Sequence, residues 1–395
     1  MSKGVSRLKV VCLVSAGHFL SHFYMLLVPP LFPFLKEYFD VGYTELSLSI
    51  TIFSIVTGLT QGPVGFLVDR FGAKKLLFFG IMIESGAFII VGLIPTYWML
   101  MLMMAVAGAA NSVYHPAGYS ILNYSIENKN IGRAFSIHTA AGMLGNAVAP
   151  ITMISIIAVA DWKVALIVCG SFGAIVGCLI AVNFKIIDTA ISYHSTIERQ
   201  NAKTGLSLIF STPILLGVLF FVGISIVEYG VSAFSVVMLT SIHNISVASA
   251  AVILSAYLFA SPIGVLCGGW IADRITSHHI FGGVCFVVMA FLFFALGEFQ
   301  LNLEFVAVLF ACAGFFSGAV SPSRDMLIRS LAPAKEMGKV FGVVSTGFNI
   351  GGIFSPPLFG YILDYYSAED IFWILGFVSL ITVMTVITTG ETHKS

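Results

Sequence analysis

The sequence predicts an all-α integral membrane fold, with twelve transmembrane helices in two pseudo-symmetric six-helix bundles. Three observations carry that expectation: too little charge for a surface in contact with water, apolar runs of membrane-crossing length from end to end, and a set of glycine, proline and charged positions that recurs half-way along the chain. Of 395 residues, 58% are hydrophobic, 10% are charged and 35 are Phe, which leaves too few polar groups to cover a soluble globule of that size. In lipid every backbone N–H and C=O needs an internal partner, and apolar runs of about 20 residues provide one as helices rather than as barrel strands.

Charge clusters and Pro or Gly breaks divide the chain into twelve apolar spans, at roughly 10–35, 46–68, 76–94, 97–123, 134–160, 163–183, 207–241, 246–271, 280–298, 304–330, 340–363 and 371–389. Span 1 starts near Lys9 and runs past Pro29 and Pro30 without a small-residue cleavage pattern, so it is expected as a retained helix and not a signal peptide. Span 2 ends in the charged stretch from Asp69 to Lys75. Span 3 carries Glu84, span 4 the polar stretch Asn111–Tyr119, and span 5 His138 and a glycine-rich run up to Pro150. After span 6 comes the longest polar connection, 184–206, expected as a cytoplasmic linker between an N-terminal bundle (1–183) and a C-terminal bundle (207–395). Span 7 carries Glu228 and Tyr229 about half way along, span 8 runs into Asp273 and Arg274, and span 10 contains Ser321–Asp325; spans 9, 11 and 12 complete the second bundle.

An even number of spans puts both termini on one side. With the N-terminus inside, fifteen of the 19 Lys and Arg residues fall in inside loops and tails, only Lys36 and Lys163 fall outside, and Arg324 and Arg329 remain in span 10. The excess of basic residues on cytoplasmic loops then places both termini in the cytoplasm of a bacterial inner (plasma) membrane. Zero formal net charge suggests no nucleic-acid partner. The six cysteines, Cys12, Cys169, Cys178, Cys267, Cys285 and Cys312, are scattered through apolar spans without a Cys-x-x-Cys pair, so neither a disulfide framework nor a metal site is expected. No cofactor is expected, and the partners expected are the bilayer, a small-molecule solute and protons, with the chain a monomer.

The repeat is read at an offset near 206. Gly108 with Pro116 in span 4 matches Gly314 with Pro322 in span 10, and Gly132-Arg133-Ala134-Phe135 with Gly145 and Pro150 matches Gly338-Lys339-Val340-Phe341 with Gly351 and Pro356. The pattern Gly65-x-x-x-Asp69-Arg70 recurs as Gly269-x-x-x-Asp273-Arg274, 204 residues on. The full first copy, Gly65-x-x-x-Asp69-Arg70-x-Gly72-x-Lys74-Lys75, resembles the loop between helices 2 and 3 that marks the major facilitator superfamily of membrane transporters. Two six-helix halves in parallel repeat are the symmetry of that superfamily.

In this loop Gly65 is expected to let a neighbouring helix approach closely, with Asp69 one helical turn on. Gly72 permits a tight reversal, and Arg70, Lys74 and Lys75 hold the loop in the cytoplasm. The resemblance implies that Asp69 and Arg70 join a charge network between the two halves that forms in one state and releases in the other. A purely topological role is the alternative. The sequence departs from the commonest form of the motif at Ala73, and the second copy, Asp273 and Arg274, runs on into Thr276-Ser277-His278-His279. A switch leaning on the first copy is expected.

Ionisable groups inside a membrane are costly and each is a functional candidate. His18 and His22 share a face of span 1, one turn apart and near Tyr24; Glu228 stands where the offset places the equivalent of His22. Those two helices line the central cavity in the superfamily, so His18, His22, Glu228 and Asp325 are candidates for proton coupling, with hydrogen-bonded packing as the alternative for each histidine. Span 10 carries Ser321-Pro322-Ser323-Arg324-Asp325, and Gly118 occupies the position equivalent to Arg324, so the repeat has one cation here and not two. Arg324 can bind a carboxylate or phosphonate in bidentate fashion, or it can pair with Asp325 or Glu228 as a structural ion pair. His115, Tyr119, Asn111, Tyr24, Tyr229 and Tyr257 are further candidates for solute contacts. Glu84 and His138, with Asn146, Asn349 and Gln61, can face the interior, but nothing in the sequence fixes their direction.

Within the superfamily, Tyr114-His115-Pro116 followed by Gly132-Arg133 and a glycine-rich span 5 is similar to the fosmidomycin-resistance-like branch. The expectation is a secondary active transporter working by alternating access, taking up a small, monocarboxylate-like organic anion with protons. Proton-driven efflux of a drug or metabolite is the alternative, and a non-transporting membrane sensor is the alternative of another class. The motif Gly-x-x-x-x-Gly-Lys-Ser/Thr is missing, which argues against ATP hydrolysis, and the His-Glu-x-x-His and Gly-x-Ser-x-Gly patterns of enzymes are missing too.

Overall fold

A computed structural model describes residues 3–126, 131–185, 211–331 and 337–391. Most of the expected linker, 184–206, lies outside them. Among the described residues the chain is helical and no strand occurs. The helices are α1 (Lys3–Met25), a 3-10 turn (Pro29–Leu31), α2 (Phe32–Phe39), α3 (Tyr43–Phe71), α4 (Ala73–Leu93), α5 (Tyr97–Asn111), α6 (Tyr114–Ser125), α7 (Ile131–Ile157), α8 (Trp162–Val182), α9 (Thr212–His243), α10 (Val247–Ala272), α11 (His278–Glu298), α12 (Leu303–Leu331), α13 (Met337–Tyr365) and α14 (Glu369–Glu391). Ten membrane-length apolar stretches are present in α1 to α12, with α1 and α2 sharing one and α5 and α6 another. With α13 and α14 they make twelve spans. Large apolar side chains on their outer faces, among them Trp98, Leu266, Phe291 and Phe354, are exposed, as a surface solvated by lipid requires.

Among the described residues two spans are interrupted. In span 1 the consecutive Pro29 and Pro30 lack N–H donors, and the chain passes from α1 through the 3-10 turn into α2. In span 4, Pro116 cannot donate to the carbonyl of Ser112, and α5 ends at Asn111 before α6 begins at Tyr114. Span 10 behaves otherwise: Pro322 sits inside an unbroken α12. The two equivalent prolines therefore leave different backbones.

The chain forms two compact units, Met1–Val41 with Leu48–Arg199, and Gly42–Ser47 with Gln200–Ser395. The segment Gly42–Ser47 belongs to the second unit because Asp364 caps it: the carboxylate accepts from the backbone N–H of Tyr43 (2.8 Å) and Thr44 (2.7 Å) and from the Thr44 hydroxyl (2.7 Å). Other helix starts carry their own caps, with Thr96, Asp161, Ser246 and Asn302 each accepting from the N–H three residues on.

Inside the first unit α1 packs on α7 and α4 on α8. Inside the second, α9 packs on α13, α10 on α12 and α11 on α14. Glycines set these distances at matched positions. A Cβ on Gly108 would sit 2.5 Å from the carbonyl oxygen of Phe53, and one on Gly314 would strike that of Tyr257. A Cβ on Gly145 would strike the carbonyl of Phe19, and one on Gly351 would lie 2.5 Å from the Cβ of Ser225. The pairs Gly108/Gly314, Gly145/Gly351 and Phe19/Ser225 are each 206 residues apart. Close backbone approach through small residues replaces the hydrophobic effect as the packing force between helices in lipid.

Candidate functional site

In the first unit four imidazoles meet. His18 and His22 project from one face of α1, His115 stands second in α6 just beyond the break in span 4, and His138 comes from α7. The His18 ring centroid lies 4.7 Å from that of His22, 5.0 Å from that of His115 and 4.0 Å from that of His138, with the last pair stacked. The Nδ1–H of His18 donates to the backbone carbonyl of His138 at 2.7 Å. Asn146, from α7, hydrogen-bonds the ring of His22. Nε2 of His18, Nδ1 of His22 and both ring nitrogens of His138 are buried without a hydrogen-bond partner. Two glycines make the room: a Cβ at Gly142 would lie 2.6 Å from the His18 ring and 2.8 Å from the His22 ring, and one at Gly118 would lie 3.1 Å from the His138 ring. Tyr119 closes one flank, its ring facing His115 and His138 at 5.9 and 5.5 Å while part of it stays exposed.

Beside this cluster lies a polar network. Glu84 of α4 is 0% exposed, and its carboxyl accepts from Nδ2 of Asn111 at 3.1 Å. The same amide donates to the hydroxyl and carbonyl of Ser21 on α1, and Tyr114 stands beside the carboxyl. Asn111, expected to contact solute, spends its donors here. Tyr24 also points elsewhere than its sequence neighbours suggest. It is wholly buried, its hydroxyl is hydrogen-bonded with that of Ser85 at 2.8 Å and donates to the Cys169 carbonyl at 3.3 Å, and its ring stacks on Phe88. Two residues beyond His22 along a helix is more than half a turn round, which carries Tyr24 to α4 and α8.

The second unit has different chemistry at the equivalent place. Arg324 of α12 lies against two aromatic faces, with its guanidinium carbon 5.1 Å from the Phe221 centroid and 5.9 Å from that of Phe348. Its Nε donates to Asp325 at 2.8 Å. Glu228 of α9 is exposed at its surface and within electrostatic reach of Arg324. The Tyr257 hydroxyl faces Ser317 and lies within reach of Glu228 as well. Tyr229 packs its ring on α13, where Gly352 leaves space for it. Of the residues read from sequence, Arg324, Asp325, Glu228 and Tyr257 thus share one neighbourhood.

At the loop of the first copy, Gly72 has φ +91°, the left-handed region that a side chain strains. The reversal expected there is made. Gly65 is not approached: a Cβ on it would meet nothing within 4 Å, so the close helix contact expected at that glycine does not occur here. Lys74 lies over the Phe184 ring at 5.3 Å and Arg70 over Phe71, while the Asp69 side chain lies outside the described residues. In the second copy Arg274 turns back on its own helix, 3.9 Å from the Trp270 centroid and donating to the Trp270 carbonyl at 2.8 Å, and Asp273 caps α10.

The family model of the Major Facilitator Superfamily matches residues 14–238 and again 220–395. The chain belongs to the major facilitator superfamily. It is a multi-pass membrane transporter of small solutes and not an enzyme. It is 23% identical to the Fosmidomycin resistance protein of Escherichia coli (strain K12), over 96% of this chain and 93% of that one. It is 25% identical to the Probable sulfoacetate transporter SauU of Cupriavidus necator, over 92% and 88%, and 24% identical to the Probable nitrate transporter NarT of Staphylococcus epidermidis, over 100% and 99%. Among solved structures it resembles a bacterial homolog to the human lysosomal transporter Spinster, in an inward-facing and unoccupied conformation, with TM-score 0.79, 13% identity and coverage of 98% and 96%. Its occupied form gives a TM-score of 0.77. Those likenesses establish the twelve-helix fold.

Two residues that the sequence left without direction, Glu84 and His138, prove to be buried. A signal for the second existed. Four of the nine histidines fall in spans 1, 4 and 5 of the first half, and ionisable groups in membrane spans are functional candidates.

Proposed function

We propose that the chain is a secondary active transporter that takes up a small organic anion together with protons, by alternating access between its two halves. The observation that carries this reading is Arg324. It is a permanent cation in a membrane-spanning helix, held by two aromatic rings and set close to Glu228. The Asp325 contact occupies Nε, so the guanidinium has its two terminal nitrogens to present to a carboxylate or sulfonate as a fork. Relatives named for sulfoacetate and nitrate agree with an anionic cargo. In this proposal Glu228 carries the proton: its charge stabilises Arg324 when no anion is present, and a proton neutralises it when anion and arginine pair. The chain acts as a monomer in a bacterial plasma membrane, both termini cytoplasmic, with Asp69, Arg70 and Lys74 on the inside loop contributing to gating.

Uptake into proteoliposomes tests it. Accumulation of a labelled anion is expected to follow an imposed proton gradient, and Arg324→Ala is expected to weaken binding of the anion by about 2–5 kcal/mol, the usual cost of truncating one partner of a desolvated charge pair. Transport that ignores the gradient removes the coupling, and unchanged affinity returns Arg324 to a structural ion pair with Asp325. Export is the second reading, favoured by the relative named for fosmidomycin resistance. Inside-out vesicles distinguish the directions.

A further inference from the structure

We infer that His18, His22 and His115 form a binding site for a divalent first-row transition-metal ion such as Zn2+. One ligand nitrogen from each lies within 4.8 Å of the other two. Tetrahedral Zn–N bonds of about 2.0–2.1 Å put ligand atoms roughly 3.3 Å apart. Rotamer adjustments of the order of an ångström therefore close the site without moving a helix.

The hydrogen bonds prepare the ligands. Because the His138 carbonyl can only accept, Nδ1 of His18 must carry the hydrogen, and in the neutral ring Nε2 then holds a lone pair. That nitrogen is buried and unpartnered. A ring N–H donated to a backbone carbonyl is the arrangement that fixes tautomer and orientation in metal-bound histidines. His22 repeats the logic with Asn146 on its ring and a buried, unpartnered Nδ1. Unsatisfied buried nitrogens are rare in folded proteins, and two of the three histidines of this group, His18 and His22, each carry one. A single proton bridges two nitrogens at most; a metal ion satisfies three together and can take a fourth ligand. His138, stacked on His18 with both ring nitrogens unpartnered, stands next to that position.

The donor set selects the metal class. Imidazoles suit Zn2+, Co2+, Ni2+ and Cu2+, whereas Mg2+ and Ca2+ require oxygen ligands, and the cluster has no carboxylate among its three ligands. No short metal-binding motif joins these three histidines along the chain; the packing of α1 on α6 brings them together. Gly142 and Gly118 are what the site requires of its surroundings: side chains at either would fill the space the rings occupy.

The inference does not rest on the cargo, and it is tested without transport. Protein purified without a polyhistidine tag is titrated in detergent with Co2+, followed by its visible absorption, and with Zn2+ by equilibrium dialysis. One ion per chain is expected, with the intense visible bands of a tetrahedral Co2+ site. His18→Gln, His22→Gln and His115→Gln are each expected to weaken binding by about 10- to 100-fold or more, while His279→Gln, at the start of α11 in the other unit, leaves it unchanged. Absence of stoichiometric binding in the wild-type protein overturns the inference and needs no variant to fold. Stoichiometric binding that survives the triple substitution overturns it as well.

Discussion

The two halves of this transporter share their packing and differ in what the packing encloses. Gly108 and Gly314 accept a neighbouring backbone in the same way, while Gly145 faces the Phe19 carbonyl and Gly351 the small side chain of Ser225 at the matched position. At the same offset His18, His22, His115 and His138 become Ile224, Glu228, Ser321 and Val344, while Gly118 and Gly142 become Arg324 and Phe348. The exchange is reciprocal. Where the first half has four imidazoles it has glycines at Gly118 and Gly142, and where the second half has Ile224, Glu228, Ser321 and Val344 it has a guanidinium and a benzyl ring at the glycine positions. Positions that touch backbone admit only small residues, whereas positions that touch side chains can be repacked as a set. A duplicated bundle can therefore keep its frame while one half acquires metal-type ligands and the other an anion-type ligand.

The strongest way to break the comparison is to fill the shared positions. Gly108→Leu and Gly314→Leu each drive a side chain into a carbonyl that cannot yield, and both are expected to abolish monodisperse protein in size-exclusion chromatography, a loss beyond the usual overpacking cost of about 1–3 kcal/mol. Gly142→Leu meets imidazole edges, which can rotate away. It is expected to fold with a modestly lowered melting temperature and to lose metal binding. Equal damage at Gly142 and Gly314 would mean that the frame and its contents are not separable.

Next in size is the chemistry of the second half. Glu228→Gln keeps the shape and removes the charge beside Arg324, so anion exchange is expected to persist while accumulation ceases to follow a proton gradient. Retained gradient-driven accumulation would move proton coupling away from Glu228. A smaller effect is expected at Glu84 in the first half. Glu84→Gln still accepts from Asn111 and should cost little, but Glu84→Leu leaves that buried amide short of an acceptor, at about 1–3 kcal/mol. Thermal melting of the two variants compares them directly.

Much of the frame was legible in the sequence because membranes enforce it. Span length, the repeat and the reversal at Gly72 each follow from a constraint with one cheap solution. What was not legible is direction. A helix in lipid is apolar on both faces, so the alternation that orients a soluble helix is missing, and nothing in the sequence could show that Tyr24 turns to Ser85 while His22 turns to His115. The interruption in span 4 was similarly hidden, since Pro116 and Pro322 read alike and only α5 and α6 separate. The candidate site in the second half fared better, because a charge in a span announces itself whatever its direction.

The smallest expected effects discriminate best between the two glycines of the loop. Gly72→Ala places a side chain at φ +91° and should cost about 1–2 kcal/mol. Gly65 lies within α3 with open space beside it, so Gly65→Ala should leave melting unchanged or raise stability by up to about 1 kcal/mol through helix propensity. Its effect on transport is then informative because its effect on this conformation is negligible. If transport continues, Gly65 is only an interior residue of α3. If transport stops in a protein that melts normally, a second conformation must bring another helix against Gly65, and that is the differential contact a switch between two states requires.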